Sequence, residues 1–425
     1  MFLILLAMLA IPFVLLLLAI AVLPLAAPAW WHRTRNKAHV VTLFSAPVLI
    51  YLARSDPHLL TEKMREYMSF IIVIGALFVI TSGIHIRGSL SGTPLVNTGM
   101  LGIGAVLANV LGTTGASVLL IRPLLRANKR RKRVAHIVIF FIFVAANCGG
   151  ALTPIGDPPL LLGFLRGVPF TWTLALWPQW LLMNAGVLVI FNVWDQVALN
   201  RDERELPGAQ HEEVLEHEPL RIDGAIEMLM LAGVIVTILI SPPGREVVIV
   251  ALALIGYYAG SKERRTLNVF TFGPLVEVVV LFAGIFATMA PVLEMLNAWA
   301  QRPDFALHTP AQFFWATGAL SSVLDNAPTY LAFAAAAAGL EGLQAHGLYI
   351  GALASDPEGA RILAAISTGA VFMGANTYIG NAPNFMVRAI AEENGVKMPS
   401  FFGYMLYSVG ILVPLFVLVS VVFFN

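Results

Sequence analysis

The chain has 425 residues, of which 58% are hydrophobic and only 12% are charged. Soluble domains carry roughly 25% charged residues, so this composition excludes an ordinary soluble protein. The formal net charge is +1 and there is a single cysteine, which gives no sign of a nucleic-acid binder, a disulfide framework or a cysteine zinc site. Long uncharged stretches recur along the whole chain, and they predict an all-α polytopic membrane protein.

The first predicted membrane span covers residues 1–29, which carry no charge. A secretory signal would begin with basic residues and would have a shorter apolar core, so we expect this span to be retained. Further spans are predicted at residues 38–53, 67–86, 171–195, 226–241, 246–261, 274–296 and 400–424. Each is apolar on nearly every face, as lipid-embedded helices are.

Two segments, one uncharged and one with Asp325 as its single charged residue, have lengths that fit neither one membrane crossing nor two. The first lies between Arg87 and Arg122, and its 34 residues would form a helix about 51 Å long, which is too long for one crossing. Its middle, Gly-Thr-Thr-Gly at 112–115, is a break that a lipid-facing helix would not contain. The second has a similar break at 325–329. We therefore predict two re-entrant hairpins, at residues 88–127 and 305–340.

Two other spans, at residues 134–165 and 362–392, are interrupted by glycine and proline. The interruptions read Gly-Gly-Ala-Leu-Thr-Pro-Ile-Gly-Asp-Pro-Pro at 149–159 and Gly-Ala-Asn-Thr-Tyr-Ile-Gly-Asn-Ala-Pro at 374–383. Proline lacks an amide donor and clashes with the preceding helical turn, so we predict two broken helices. The interruptions share the pattern Gly-Ala-x-Thr-x-Ile-Gly-(Asp or Asn)-x-Pro, which aligns Asp157 with Asn381.

The hairpins repeat in the same way, because residues 107–111 correspond to residues 320–324, about 213 positions later. The chain is therefore a tandem duplication, with a first repeat at 1–198, a linker at 199–221 and a second repeat at 222–425. Each repeat contains three helices, a hairpin, a broken helix and a last helix, which makes five crossings. An odd number inverts the second repeat, so we predict an inverted structural repeat with about ten crossings, as in many secondary transporters.

The linker and the basic residues complete the predicted topology. The linker is charged and is expected to lie in the cytoplasm, and its His211 and His217 lack zinc-ligand spacing. On this scheme 18 Lys and Arg residues lie on one side of the membrane and 7 on the other. The positive-inside rule assigns the first side to the cytoplasm. Both termini are then predicted on the outer, periplasmic side of a bacterial-type inner membrane.

Three sequence motifs resemble the ion transporter superfamily: Ser-Ser-Val-Leu-Asp-Asn-Ala-Pro-Thr at 321–329, Thr-Pro-Ile-Gly-Asp at 153–157 and Gly-Ala-Asn-Thr at 374–377. This superfamily includes arsenite permeases, citrate-transporter-like sodium-coupled carboxylate carriers and NhaD-type sodium/proton antiporters. The resemblance covers nearly the whole chain, and the Asp-Asn-x-Pro hairpin tip is most similar to the NhaD type. It implies sodium sites between each hairpin tip and its own broken helix, a substrate site between the halves, and a homodimer.

The residues at the breaks also suit a small hard cation, because unwound helix ends offer carbonyl oxygens beside Thr, Asn and Asp side chains. The first predicted Na⁺ site consists of Asn109, Thr113, Thr114, Thr153 and Asp157. The second predicted Na⁺ site consists of Asp325, Asn326, Thr329, Asn376, Thr377 and Asn381. Each site holds one carboxylate at membrane depth, for which Na⁺ and a proton would compete. We therefore predict a Na⁺/H⁺ antiporter with alternating access.

Structural roles compete with these assignments at several residues. Asp157 precedes proline, as helix N-cap residues often do, and Asp325 could order the hairpin turn. Glu277, Glu294 and His85 are candidates for a proton route, but each could also lie at a helix end in contact with water. The expected partners are membrane lipid, Na⁺ and H⁺, with no nucleic acid and no organic cofactor.

Three other functions are compatible with parts of the sequence. A sodium-coupled citrate or dicarboxylate carrier would share the fold, although two aspartates near one cavity would repel an anion unless sodium neutralised them. An arsenite carrier would share the fold as well. An intramembrane aspartyl protease could use two aspartates that share a proton. However, Pro-Ile-Gly-Asp at 154–157 departs from the Gly-x-Gly-Asp of that family, and we expect a transporter and not an enzyme.

Overall fold

The structure, a computed structural model, describes residues 2–88, 90–205, 221–240 and 242–425. It confirms the predicted all-α membrane protein, since seven of the described helices are long and apolar enough to cross a membrane. The helices of the first half are α1 (Phe2–Ala26), α2 (Pro28–Trp31), α3 (Thr34–Ser55), α4 (Pro57–Thr81), α5 (Pro94–Ala127), α6 (Ala135–Val144), α7 (Pro158–Leu165) and α8 (Trp177–Glu205). Short 3₁₀ helices lie at Cys148–Ala151 and Trp172–Leu176.

The second half also contains a helix pair, an interrupted helix and a last helix, in that order. Its helices are α9 (Ala225–Ile238), α10 (Gly244–Ala259), α11 (Lys262–Leu267), α12 (Gly273–Ala300), α13 (Pro310–Ser321), α14 (Asn326–Leu340), α15 (Tyr349–Ser355), α16 (Pro357–Met373), α17 (Ala382–Glu393) and α18 (Phe401–Phe423), with a 3₁₀ helix at Gly374–Asn376. Two short strands, β1 (His85–Arg87) and β2 (Arg221–Asp223), pair antiparallel. The sequence did not predict these strands, which join the segment after α4 to the segment before α9.

Two helices extend beyond their predicted membrane spans into segments that contain charged residues. Helix α4 begins at Pro57, ten residues before the predicted span, and its Lys63 pairs with Glu66 at 2.9 Å. Helix α8 continues to Glu205, into the predicted linker. The rest of the linker, residues 206–220 with His211 and His217, lies outside the described residues.

Helix α5 is folded back on itself at Gly112. The backbone angles there are φ 74° and ψ 156°, a combination that is essentially restricted to glycine. Asn97 donates to the Oδ1 atom of Asn128 across 3.0 Å, whereas a straight helix would separate these residues by about 46 Å. The two arms of α5 therefore lie side by side. Helices α13 and α14 form the corresponding pair in the second half, with the rings of Phe313 and Phe333 6.5 Å apart.

The two halves pack against each other through helices α4 and α12 and through their helix breaks. Between α4 and α12, the rings of Phe70 and Phe282 stack at 4.7 Å, and the Tyr67 hydroxyl donates to the carbonyl of Val279 across 2.9 Å. A second buried apolar cluster joins the arms of α5, the broken helices, α8 and α18. This packing brings both helix breaks to the region between the halves.

Candidate functional site

The tip of the first hairpin is bound to the first helix break by hydrogen bonds through Asn109. Its Nδ2 atom donates to the carbonyl of Gly149 across 2.7 Å, and its Oδ1 atom accepts from the amide of Leu152 across 2.8 Å. The Thr153 hydroxyl in turn donates to the carbonyl of Asn109 across 2.6 Å. Backbone groups that unwinding leaves without helical partners are thus satisfied by the hairpin.

The second hairpin and the second break repeat this arrangement. Ser322 stands at the position of Asn109, and its hydroxyl donates to the carbonyl of Met373 across 3.1 Å. The Thr377 hydroxyl donates to the carbonyl of Ser322 across 2.6 Å, the same bond that Thr153 makes in the first half. The two junctions therefore share an equivalent threonine-to-carbonyl hydrogen bond.

Asp157 is a buried carboxylate between the breaks that accepts three side-chain hydrogen bonds. It is 1% exposed, and its carboxylate accepts from the Thr113 hydroxyl across 2.7 Å. It also accepts from the side-chain amide of Asn326 and from that of Asn381 across 3.2 Å. Its side chain makes no hydrogen bond to the first turn of α7. Asp157 therefore occupies the N-cap position of α7, as its place before proline predicts, but its side chain bonds to other side chains and does not cap the helix.

The three donors to Asp157 come from both halves of the chain. Thr113 belongs to the first hairpin, Asn326 occupies the position of Thr113 in the second, and Asn381 is the counterpart of Asp157 itself. The first predicted Na⁺ site contained only residues of the first half. In the structure, residues of both predicted sites surround one carboxylate.

A cavity of about 90 Å³ lies beside Asp157. Its polar lining consists of Thr113, Thr114, Asp157, Asp325 and Asn381, and α4 and α12 contribute an apolar wall. No Lys, Arg or His is among the described residues that line it. A water molecule occupies about 30 Å³ of liquid, so this cavity has room for about three waters or for a partly dehydrated cation.

Asp325 reaches the same cavity from the second hairpin. It is half-buried, and its Oδ1 atom accepts from the amide of Ala327 across 3.0 Å, so it does order the start of α14. Thr329 donates to the carbonyl of Asp325 across 2.9 Å and lies one turn further along the helix. Asp325 therefore combines a structural bond with a position in the cavity wall.

The remaining predicted ligands support the junctions between hairpins and breaks and do not line this cavity. They are Asn109, Thr153, Asn326, Thr329, Asn376 and Thr377. Two of them have a buried carboxamide oxygen, Oδ1 of Asn326 and Oδ1 of Asn376, that accepts no hydrogen bond from the described residues. Such oxygens are available to a cation.

The proposed proton-route residues lie elsewhere. Glu277 forms an ion pair with the buried Lys37 at 2.5 Å, and His85 bonds through Nδ1 to Oδ1 of Asn268 at 2.7 Å. Glu294 is half-buried on α12. None of the three is among the residues that line the cavity.

Sequence reasoning missed two asparagines that connect the breaks. Asn147 donates to Oδ1 of Asn384 across 2.7 Å and accepts from Asn381 across 3.2 Å. Asn384 donates to the carbonyls of Gly374 and Thr377, each across 2.9 Å. A polar amide within the apolar run 134–148 was the available signal for Asn147.

A buried ionic cluster was missed as well. Arg166, which follows α7 and is 2% exposed, contacts Oε2 of Glu66 on α4 at 2.7 Å. It also donates to the Tyr349 hydroxyl across 2.9 Å. The end of the first broken helix is thereby attached to both α4 and α15.

Comparison with protein families identifies the family of the chain. A family profile described as "Putative citrate transport" matches residues 4–424, which is nearly the whole chain. A comparison with curated proteins found no match. The family is one of secondary transporters. The described helices of this chain that are long and apolar enough to cross a membrane make it an integral membrane protein. The chain therefore belongs to this citrate-transporter-like family of the ion transporters.

Proposed function

We propose that the protein is a Na⁺/H⁺ antiporter that binds the two cations alternately in the cavity shared by Asp157 and Asp325. The observation that carries this proposal is the lining: two carboxylates with hydroxyl and amide groups, and no cationic side chain among the described lining residues. Oxygen ligands suit Na⁺, and uncompensated carboxylates at membrane depth are characteristic of ion and proton pathways.

The hydrogen bonds of Asp157 explain how one carboxylate could serve both ions. Thr113, Asn326 and Asn381 hold the carboxylate in place as an anion. A proton or a Na⁺ ion neutralises the same charge, so binding of one disfavours binding of the other. This mutual exclusion is the coupling that antiport requires.

A second Na⁺ site is proposed at the junction of the second hairpin with its break. Oδ1 of Asn376 lies there without a hydrogen-bond donor among the described residues, while its Nδ2 atom donates to the Ser322 hydroxyl across 2.8 Å. Thr377 and Asp325 flank the same junction. The two sites are related by the duplication but differ in composition, since Asp325 aligns with Gly112.

An inverted repeat accounts for the contact between Asn381 and Asp157. Equivalent residues touch each other only near a two-fold axis, and five crossings in each half place that axis in the membrane plane. On this proposal, α5 and the pair α13–α14 are re-entrant hairpins, and the chain crosses the membrane ten times. Alternating access then follows from rocking of one group of helices against the other.

Cation-coupled transport of citrate or a related anion is the second candidate, and the family match favours it. In this case Asp157 and Asp325 would hold the coupling cations. The 90 Å³ cavity would then have to enlarge, and its apolar wall of α4 and α12 would have to move away from the breaks to admit the anion.

Reconstitution into liposomes with a trapped pH-sensitive dye distinguishes the candidates. With Na⁺ added outside, an antiporter makes the lumen alkaline, and we expect Asp157→Asn and Asp325→Asn to abolish this change. Asp304→Asn is the matched control, because Asp304 is exposed and paired with Arg302. If Na⁺ causes no proton movement while labelled citrate accumulates, the antiport proposal fails and the citrate candidate is supported.

A further inference from the structure

A second, much larger cavity has no part in the proposed transport. This cleft has a volume of about 1180 Å³ and lies between the end of α5, the beginning of α6, α8 and the segment after α17. It shares no lining residue with the cavity beside Asp157. Seven Lys and Arg residues line it, and no Asp or Glu is among its described lining residues.

The floor of the cleft holds some of these cations in fixed positions. Arg131 is buried and pairs with Asp195 on α8 at 2.6 Å, and Arg133 pairs with Asp202 at 2.5 Å. His136 also contacts Asp195, at 2.8 Å. These contacts attach the loop after α5 to α8. The fold therefore holds the basic residues of the cleft in place.

Four further cations are exposed at the rim. Arg126, Lys129, Arg201 and Lys397 come from three separate parts of the chain. None of them forms an ion pair with a carboxylate in the part of the chain that the structure describes. Among the described residues, the rim therefore carries an excess of positive charge that suits an anionic ligand.

The wall of the cleft is apolar and faces outward. Val189, Val193 and Val197 recur every four residues on α8 and are 65%, 62% and 46% exposed, and Trp194 beside them is 41% exposed. On a membrane-spanning helix such a stripe contacts acyl chains, and tryptophan is enriched at the level of lipid headgroups. The rim cations thus lie next to the lipid-facing surface.

We propose that this cleft binds an anionic phospholipid. Its phosphate would contact Lys129, Arg201 and Lys397, and its acyl chains would follow the valine stripe of α8. Basic pockets between membrane helices on the cytoplasmic side hold acidic headgroups in this manner. The valine stripe favours a lipid over a free phosphate ion, because a phosphate ion has no apolar part that could contact the valines.

Lipid titration of the purified full-length protein tests this proposal. Binding of phosphatidylglycerol and of phosphatidylcholine is measured by native mass spectrometry in neutral detergent, with inorganic phosphate as a competitor. We expect wild type to prefer phosphatidylglycerol and Lys129→Gln/Lys397→Gln to bind it about 30-fold more weakly. The control Arg33→Gln/Arg35→Gln removes two exposed cations from the same predicted side, outside the cleft, and should bind like wild type.

A second variant distinguishes the lipid from a free anion. Val193→Ser/Val197→Ser should weaken binding of phosphatidylglycerol while the rim cations remain intact. Equal binding of the two lipids by wild type, or equal loss in the cleft and control variants, would overturn the proposal. Displacement by millimolar phosphate together with no effect of the valine substitutions would also overturn it, because the site would then bind a free anion.

Discussion

The side-chain amide of Asn381 donates a hydrogen bond to the carboxylate of Asp157 across 3.2 Å, and these two residues occupy the same position in the two halves of the chain. They are 224 residues apart in the sequence. Only one of the pair is ionisable, so the contact between the two helix breaks holds a single ionisable group.

Exchanging these two residues tests whether Na⁺ binding needs a carboxylate at position 157 itself or accepts one at position 381. Asp157→Asn alone should weaken Na⁺ binding about 10- to 100-fold, because it removes the carboxylate charge and an interaction with a charged group contributes about 1.5–3 kcal/mol. The double variant Asp157→Asn/Asn381→Asp returns a carboxylate to the same cavity and should recover part of the affinity. Na⁺-dependent thermal stabilisation of the purified protein in detergent measures binding by both variants, because it does not require transport. No recovery in a folded double variant would show that the pocket around Asp157 is specific to that position.

The threonines of the two junctions should both contribute to stability, Thr377 more than Thr153. Thr153→Val removes one part-buried hydrogen bond to a hairpin carbonyl, and we expect a loss of about 1–2 kcal/mol in the free energy of unfolding. Thr377→Val removes the equivalent bond and also the acceptor of the amides of Ile379 and Gly380, so its loss should be larger. Thr266→Val removes a hydroxyl bond on the exposed helix α11 and should cost less than about 0.5 kcal/mol. Thermal unfolding in detergent measures all three, and a smaller loss for Thr377→Val than for Thr153→Val would contradict these hydrogen bonds.

Gly112→Ala should disturb the first hairpin tip. Its φ of 74° and ψ of 156° are accessible only to glycine, so alanine there costs about 1–3 kcal/mol. An added Cβ would also lie 3.3 Å from the carbonyl oxygen of Ile155. We expect lower thermal stability and reduced transport.

Gly99→Ala is the matched control for that substitution, in the same helix. A Cβ at Gly99 meets no atom within 4 Å, and alanine has the higher helix propensity. The Gly99 variant should therefore be as stable as wild type or slightly more so. If both glycine variants behave alike, the fold of α5 at Gly112 does not depend on the glycine conformation.

Glu66→Gln should destabilise the protein through Arg166. The substitution leaves a buried guanidinium whose charge has lost its carboxylate, and breaking a buried ion pair in this way costs about 3–5 kcal/mol. Glu358→Gln, in the exposed pair with Arg361, should cost at most about 1 kcal/mol. The two unfolding temperatures give the comparison, and equal losses would mean that the Arg166 cluster does not hold α7 against α4.

The sequence by itself determined the class of protein and the positions of the helix breaks, and it predicts a duplication. These features depend on local chemistry: apolar runs must match the membrane thickness, and proline and glycine interrupt a helix wherever they occur. The shared pattern of the two breaks was sufficient to align Asp157 with Asn381. It also identified the polar residues of both breaks as the candidate ligands.

Only the tertiary structure decided which of these residues meet. Asn326 and Asn381 contact Asp157 although they lie 169 and 224 residues after it, and Arg166 contacts Glu66 100 residues before it. Such contacts depend on how the two halves pack and on which helix faces they turn toward each other. Helices that are apolar on every face carry no pattern that specifies this choice, so the shared cavity, the cross-linking asparagines and the basic cleft emerge only from the packed fold.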